Sequence, residues 1–246
     1  MELLPPYSEA QTSSAQDRSG CLPPATLRLD GLFVYPGDAG TTPLYETSLA
    51  VDALRDGNRT VTVYRLEQTV KQQGGAARIS TRRHRLCELR HPTAITGPRF
   101  EYYAQTAQTV VGLTAHRHKL FFGKEYRFHR TSGDADDGPA DGNALFVAQP
   151  GRENKEVRFE WSDGQGRLVA RELARDAGPT SLVVSAEMKA AERDALVSAW
   201  MLRVWEEQAN YSGKTWDDFK RIMKNSNNPE LKGLRAKNIS IAAGLV

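Results

Sequence analysis

The sequence predicts a mainly β protein: an antiparallel twisted β-barrel of about ten to twelve strands around a central apolar helix at about 186–208, followed by a C-terminal amphipathic helix. Three observations carry this. Turn residues recur roughly every eight to twelve positions from Tyr45 to Val184, the spacing of short antiparallel strands. One stretch breaks that rhythm, since Ser185 to Glu207 reads as a long helix. Between Ala195 and Trp205 only Ser198 and Arg203 are polar, so the second half of that helix has no solvent face and requires burial on every side. About eleven such residues span roughly 16 Å, well short of the ~20 residues a bilayer demands, so the surroundings must be protein. A sheet curled around the helix supplies them.

Residues 1–40 form a tail rich in Pro, Ser, Gly and Gln, with Leu-Pro-Pro at positions 4–6 and again at 22–24; its first part holds too few apolar residues to offset the entropy of ordering. Within it, Leu27-Arg-Leu-Asp-Gly-Leu-Phe-Val-Tyr35 is apolar enough for a first strand or a plug against the barrel. The barrel is expected over 41–209. Tyr45, Thr47, Leu49 and Val51 share one face, and beyond the turn Asp56-Gly-Asn58 the β-branched run Thr60–Leu66 completes a hairpin. Gln72–Gly75 reads as a loop. Strands follow at Ala77–Thr81, Arg85–Arg90, Phe100–Gln105, Thr109–Thr114, Lys119–Phe122 and Glu125–His129. After the acidic loop Ser132–Gly142, Asn143–Gln149 resumes the sheet. Val157, Phe159 and Trp161 alternate with polar residues before the turn Asp163-Gly-Gln-Gly166, and Arg167–Leu173 returns. Thr180–Val184 is the last strand and feeds directly into the helix. Residues 210–246 make a helical extension, in which Thr215 caps a helix whose Trp216, Phe219, Ile222 and Met223 form an apolar stripe opposite Lys220, Arg221 and Lys224.

The order of these elements, with Ser181-Leu-Val-Val184 running into an almost wholly apolar helix containing Asp194-Ala-Leu-Val-Ser-Ala-Trp200, resembles the tubby C-terminal-like superfamily, which includes the LURP-one-related proteins and the phospholipid scramblases. The segment Phe122-Gly-Lys-Glu-Tyr-Arg-Phe-His-Arg130, then Leu145-Phe-Val-Ala148 and the Gly166-Arg-Leu168 hairpin, is similar to the strand pattern of the fungal members. The likeness covers residues 42–208. It implies a strongly twisted antiparallel barrel of about a dozen strands threaded by an apolar helix. For some members it also implies a non-enzymatic role in binding anionic phospholipid head groups.

Motifs for other chemistries fail on spacing or context. Ser212-Gly-Lys-Thr215 imitates the end of a phosphate-binding loop, yet the position five before Gly213 is Gln208 and the segment follows a helix instead of a strand. Gly164-Gln-Gly166 lacks the third glycine of a dinucleotide site and sits in a hairpin. No glutamate closes a calcium loop around Asp134, Asp136, Asp137 and Asp141. His116 and His118 share a strand face, but two imidazoles make no structural zinc site and neither cysteine lies beside them. No nucleophile elbow or marked carboxylate pair is present. The expectation is therefore a protein that is not an enzyme, with no cofactor and no metal. Cys21 and Cys87 build no disulfide framework, and Met1–Tyr7 has no basic start or apolar run, so a reducing, cytoplasmic setting is expected. The three glycosylation sequons, at Asn58, Asn210 and Asn238, are then chance matches.

Charge is the one functional hint. The whole chain carries 33 Lys and Arg against 30 Asp and Glu, a net charge of +3, so no nucleic-acid partner is expected. Between Arg78 and Arg130, however, eleven cations meet only Glu88, Glu101 and Glu125. The candidate phospholipid-binding residues are Arg82, Arg83, Arg85, Arg117, Lys119, Lys124, Arg127 and Arg130, which would serve a peripheral contact with an anionic membrane surface. Strand alternation puts Arg82 and Arg83 on opposite faces and Arg83 and Arg85 on the same one. The competing expectation is an interaction or scaffold domain whose protein partners dock on the tails and on the 215–224 helix.

Overall fold

The computed structural model describes residues 20–37, 41–54, 59–73, 76–91, 100–117, 124–132, 144–151, 155–174 and 179–210. In chain order the strands are β1 (Cys21–Leu22), β2 (Ala25–Asp30), β3 (Phe33–Pro36), β4 (Tyr45–Thr47), β5 (Thr60–Gln73), β6 (Ala76–Arg90), β7 (Tyr102–Gln105), β8 (Thr109–Arg117), β9 (Lys124–Ser132), β10 (Phe146–Pro150), β11 (Val157–Asp163), β12 (Leu168–Leu173), β13 (Thr180–Val184) and β14 (Met188–Lys189). One helix follows, α1 (Ala190–Asn210). β2 to β13 form a closed antiparallel barrel of twelve strands. Neighbours in sequence are neighbours in the sheet throughout, and the seam is closed by β13 against β2, with Leu182 opposite Leu27. Closure leaves no bare sheet edge along these strands, except where two of them outrun their neighbours.

The barrel interior is built by alternation. Leu27 and Leu29, Val61 and Val63, Cys87 and Leu89, Phe146 and Ala148, Phe159 and Trp161, and Leu182 and Val184 are all buried, each two residues apart on one strand. They surround α1, in which every residue from Leu196 to Glu206 is buried. Trp200 and Trp205 are wholly enclosed. Trp205 meets Tyr102 edge-on at 5.7 Å between ring centres, and Trp161 stacks on Phe128 at 5.2 Å. The helix is thus the filling of the barrel.

Polar latches fix the helix in rotation and height. Asp194 accepts from Tyr45 Oη at 3.0 Å on β4 and from Arg65 Nη1 at 2.9 Å on β5. Ser198 Oγ lies 3.4 Å from Cys87 Sγ on β6. Glu206 accepts from Tyr126 Oη at 3.0 Å and Lys124 Nζ at 2.8 Å on β9. Arg203 donates to Glu172 on β12 and to Glu207 at 2.9 Å, with its guanidinium 4.9 Å from the centre of the Phe159 ring on β11. Arg193 donates to the carbonyls of Leu22 and Pro23, tying down the short β1–β14 sheet below the helix start. Partners on β4, β5, β6, β9 and β12 ring the helix on all sides.

Several boundaries differ from the expectation. β2 and β3, two staves of the barrel, fall inside the stretch 1–40 that composition assigned to the tail. Leu27, Leu29 and Val34 are wholly buried there, a local pattern that an average over forty residues conceals. The Tyr45–Val51 alternation stops as a strand at Thr47, although Val51 is still buried. The expected strands Ala77–Thr81 and Arg85–Arg90 are one strand, β6, because no turn residue interrupts Arg82-Arg-His84. A bulge between the pairs Val63–Cys87 and Tyr64–Arg85 accommodates Leu86. The helix starts at Ala190, after β14 instead of directly from β13. Ser132, the expected start of the acidic loop, ends β9, while the rest of that loop (133–142), the expected Lys119–Phe122 strand and the 215–224 helix lie outside the described residues.

Candidate functional site

With its lumen filled, the barrel offers its outer surface and, among the described residues, a long two-stranded projection. β5 and β6 pair along their whole length, from Thr60 opposite Arg90 to Gln73 opposite Ala76. β4 reaches only Arg65 on one flank, and β7 begins only at Glu88 on the other. Residues 66–83 therefore leave the barrel as a two-stranded arm with no further described strand on either side. It holds Lys71, Arg78, Arg82 and Arg83 against the single carboxylate of Glu67. That surplus equals the +3 of the entire chain, so the remainder is neutral in sum.

The base of the arm is tied to the barrel by charge. Arg65 bridges Asp194 at 2.9 Å and Glu67 at 3.0 Å, and His84 Nε2 lies 2.8 Å from Glu67. Burial pushes the Glu67 carboxyl up, but the Arg65 hydrogen bond and the His84 and Arg65 charges more than offset this and hold it below its ordinary range. Arg83 donates to Glu46 at 2.9 Å and covers the Tyr64 ring at 4.4 Å. Both contacts position the arm.

Where β6 leaves the barrel, a cleft of about 550 Å³ opens between the strand and the Thr106–Thr109 turn, and it is lined by Arg85, Glu88, Arg90, Gln105 and Gln108. Glu88 accepts from Arg85 and from Arg90. The Arg90 hydrogen bond, opposed by burial and aided by both cationic charges, keeps the Glu88 carboxyl low, so it stays ionised and occupies part of both guanidinium groups.

The structure brings together Arg82, Arg83 and Arg85 but not all eight candidate residues. Lys124 is turned inward to Glu206, and Arg127 is paired at 2.6 Å with the buried Glu125, which also accepts from Gln149. Arg130 is exposed on β9. Arg117 stands opposite Lys124 in the β8–β9 ladder. That pair is eight residues along β8 from Thr109, or ~26 Å at strand rise, while the arm departs near the Thr109 end. Lys119 lies outside the described residues. The cations form a β6 group, on the two-stranded arm and at its base, and a separate β8–β9 group.

No cluster of three or more His, Cys, Asp or Glu among the described residues could hold a metal ion, and no helix there is long and apolar enough to cross a membrane. Comparison with protein-family models, curated proteins and solved structures gives no match for this chain.

Proposed function

We propose that this chain is a non-catalytic barrel module of the tubby-like and LURP-one-like kind, and that its cationic arm engages the head groups of anionic phospholipids at a cytoplasmic membrane surface. The observation that carries this reading is the arm: a two-stranded ribbon that carries Lys71, Arg78, Arg82 and Arg83 against Glu67 alone, a net charge of +3 on eighteen residues. The filled lumen supports it from the other side. Side chains that could have met a ligand inside, such as Glu172, Arg203 and Glu206, are already committed to one another and to the strands. A phosphate-bearing surface suits the exposed Arg82 and Arg83, since each basic residue near an anionic leaflet contributes about 1 kcal/mol.

Sedimentation with vesicles tests this. The full chain should pellet with vesicles containing anionic lipid at low salt, remain in solution with zwitterionic vesicles, and be released as ionic strength rises. Arg78→Ala with Arg82→Ala, which leaves the Arg83–Glu46 tie intact, should weaken binding by about 30-fold while changing stability by less than about 1 kcal/mol. A parent protein that ignores anionic vesicles at low salt refutes the proposal.

A further inference from the structure

The arm has a second property that charge alone does not describe. Leu66 donates its N–H to Leu44 O at 2.8 Å, and Ser48 donates to Thr62 O at 3.0 Å. The main-chain polar groups of Thr62 and Leu66, and of Tyr64 between them, therefore aim toward β4 and away from β6. In an antiparallel ladder the residues directly opposite these must aim their own N–H and C=O outward as well. Those residues are Arg85, opposite Tyr64, and Arg83, opposite Leu66. Steps of two along the strand carry the same orientation to Thr81 and Ile79. β7 takes up this edge only at Glu88–Arg90. From Arg85 outward no described strand pairs with it, and buried-strand chemistry is on display: Ile79 is 64% exposed, the most exposed large apolar residue among those described.

Two features distinguish this edge from the outer edge of β5. The cleft beside the Thr106–Thr109 turn lies at its inner end, where an added strand would abut the end of β7. Arg82, Arg83 and Arg85 are exposed along it, so it favours a polyanionic partner. A second copy of this chain is disfavoured for the same reason: pairing two β6 edges about a two-fold axis would gather Arg78, Arg82, Arg83 and Arg85 of both copies on one short ribbon.

We infer that the β6 edge from Ile79 to Arg85 accepts an extended acidic segment of a protein partner by strand addition. The added strand takes main-chain hydrogen bonds from Ile79, Thr81, Arg83 and Arg85. Its carboxylates reach Arg83 and Arg85 on one face, and an apolar residue on that face covers Ile79. This use of the arm is separate from the lipid contact, because it depends on the backbone edge as well as on charge.

The experiment uses the full chain and a capped peptide of alternating Glu and Thr with one central Ile, with binding read by fluorescence anisotropy. Two further forms of the peptide carry N-methyl groups on the odd or on the even residues. Strand addition predicts that one methylated form binds at least tenfold more weakly while the other binds like the parent, since only one set of amides faces β6. Thr81→Pro, which removes an outward N–H and no ladder bond to β5, should lose peptide binding to the same extent yet sediment with anionic vesicles as the parent does. Equal binding of both methylated peptides would show attraction by charge alone and overturn the inference. Unchanged peptide affinity in Thr81→Pro, or no binding of the unmodified peptide, would also overturn it. The vesicle result stands or falls separately.

Discussion

Glu172→Leu and Arg203→Met break the same buried ion pair from its two sides, and the structure makes their consequences unequal. The side chains are 1% exposed at Arg203 and 0% at Glu172, so neither partner regains water when the other is removed. In Glu172→Leu the guanidinium keeps Glu207 at 2.9 Å and the Phe159 ring but loses its closest carboxylate. Arginine cannot shed its proton at accessible pH, so the cost, about 3 kcal/mol, is not relieved by any change in the charge of Arg203 between pH 5 and pH 8. Arg203→Met leaves a buried carboxyl that can escape by taking up a proton. Burial already pushes Glu172 above its ordinary 4.5, with Arg203 and Arg158 opposing, and loss of Arg203 pushes it further. The native state then holds a proton that the unfolded chain releases. Stability is fully present below pH 4.5 and falls as pH rises toward the folded pKa, by up to about 1.4 kcal/mol per pH unit. Replacing both residues removes both charges and should return the protein to within about 1 kcal/mol of the parent. Urea unfolding of all four proteins at pH 5 and pH 8 reads these values directly. Equal and pH-independent losses in the two single variants, or a double variant as unstable as the worse single one, would refute the reasoning.

Gly112 on β8 lies under the Phe100 ring, and a Cβ there would sit 2.1 Å from Phe100 Cγ. Gly112→Ala should therefore cost about 1–3 kcal/mol in a denaturant titration, and Phe100→Ala in the same chain should relieve the collision specifically. Cys21 is exposed whereas Cys87 is buried, and burial pushes the Cys87 thiol up to about 11. A thiol reagent at neutral pH should modify one cysteine of the native protein promptly and the second only after unfolding.

Much of the fold was legible because burial leaves a period in the sequence. The Val157–Leu173 hairpin alternates plainly, and the apolar run around Trp200 allowed only an enclosed helix. Arg203 was less legible. Its partner Glu172 is 31 residues away in a strand that reads as half polar, so nothing local shows what neutralises the enclosed charge. The candidate site was legible as a charge block but not as a shape. Lys124 and Glu206 are separated by 82 residues, and their pairing, which removes Lys124 from the outer surface, depends on where the helix stops inside the barrel. The continuity of β6 past Arg82, and hence the arm itself, rests on the lack of a turn residue in Arg82-Arg-His84, whereas the one-residue bulge at Leu86 that shifts the register is something no composition rule reveals.

The seam between β2 and β13 sets an order of events on the ribosome. Residues 25–30 emerge first, yet the strand that covers their edge, Thr180–Val184, is made some 150 residues later, and the helix that packs against Leu27 and Leu29 later still. Every other ladder of the barrel joins strands adjacent in sequence and can form as the chain lengthens. Completion of the barrel thus waits for one long-range pairing that must enclose α1 as it closes, the kind of contact that slows folding most. Until the final fifth of the chain is out, the sheet is an open ribbon with its apolar face uncovered, and the nascent protein depends on whatever shields that face in the meantime.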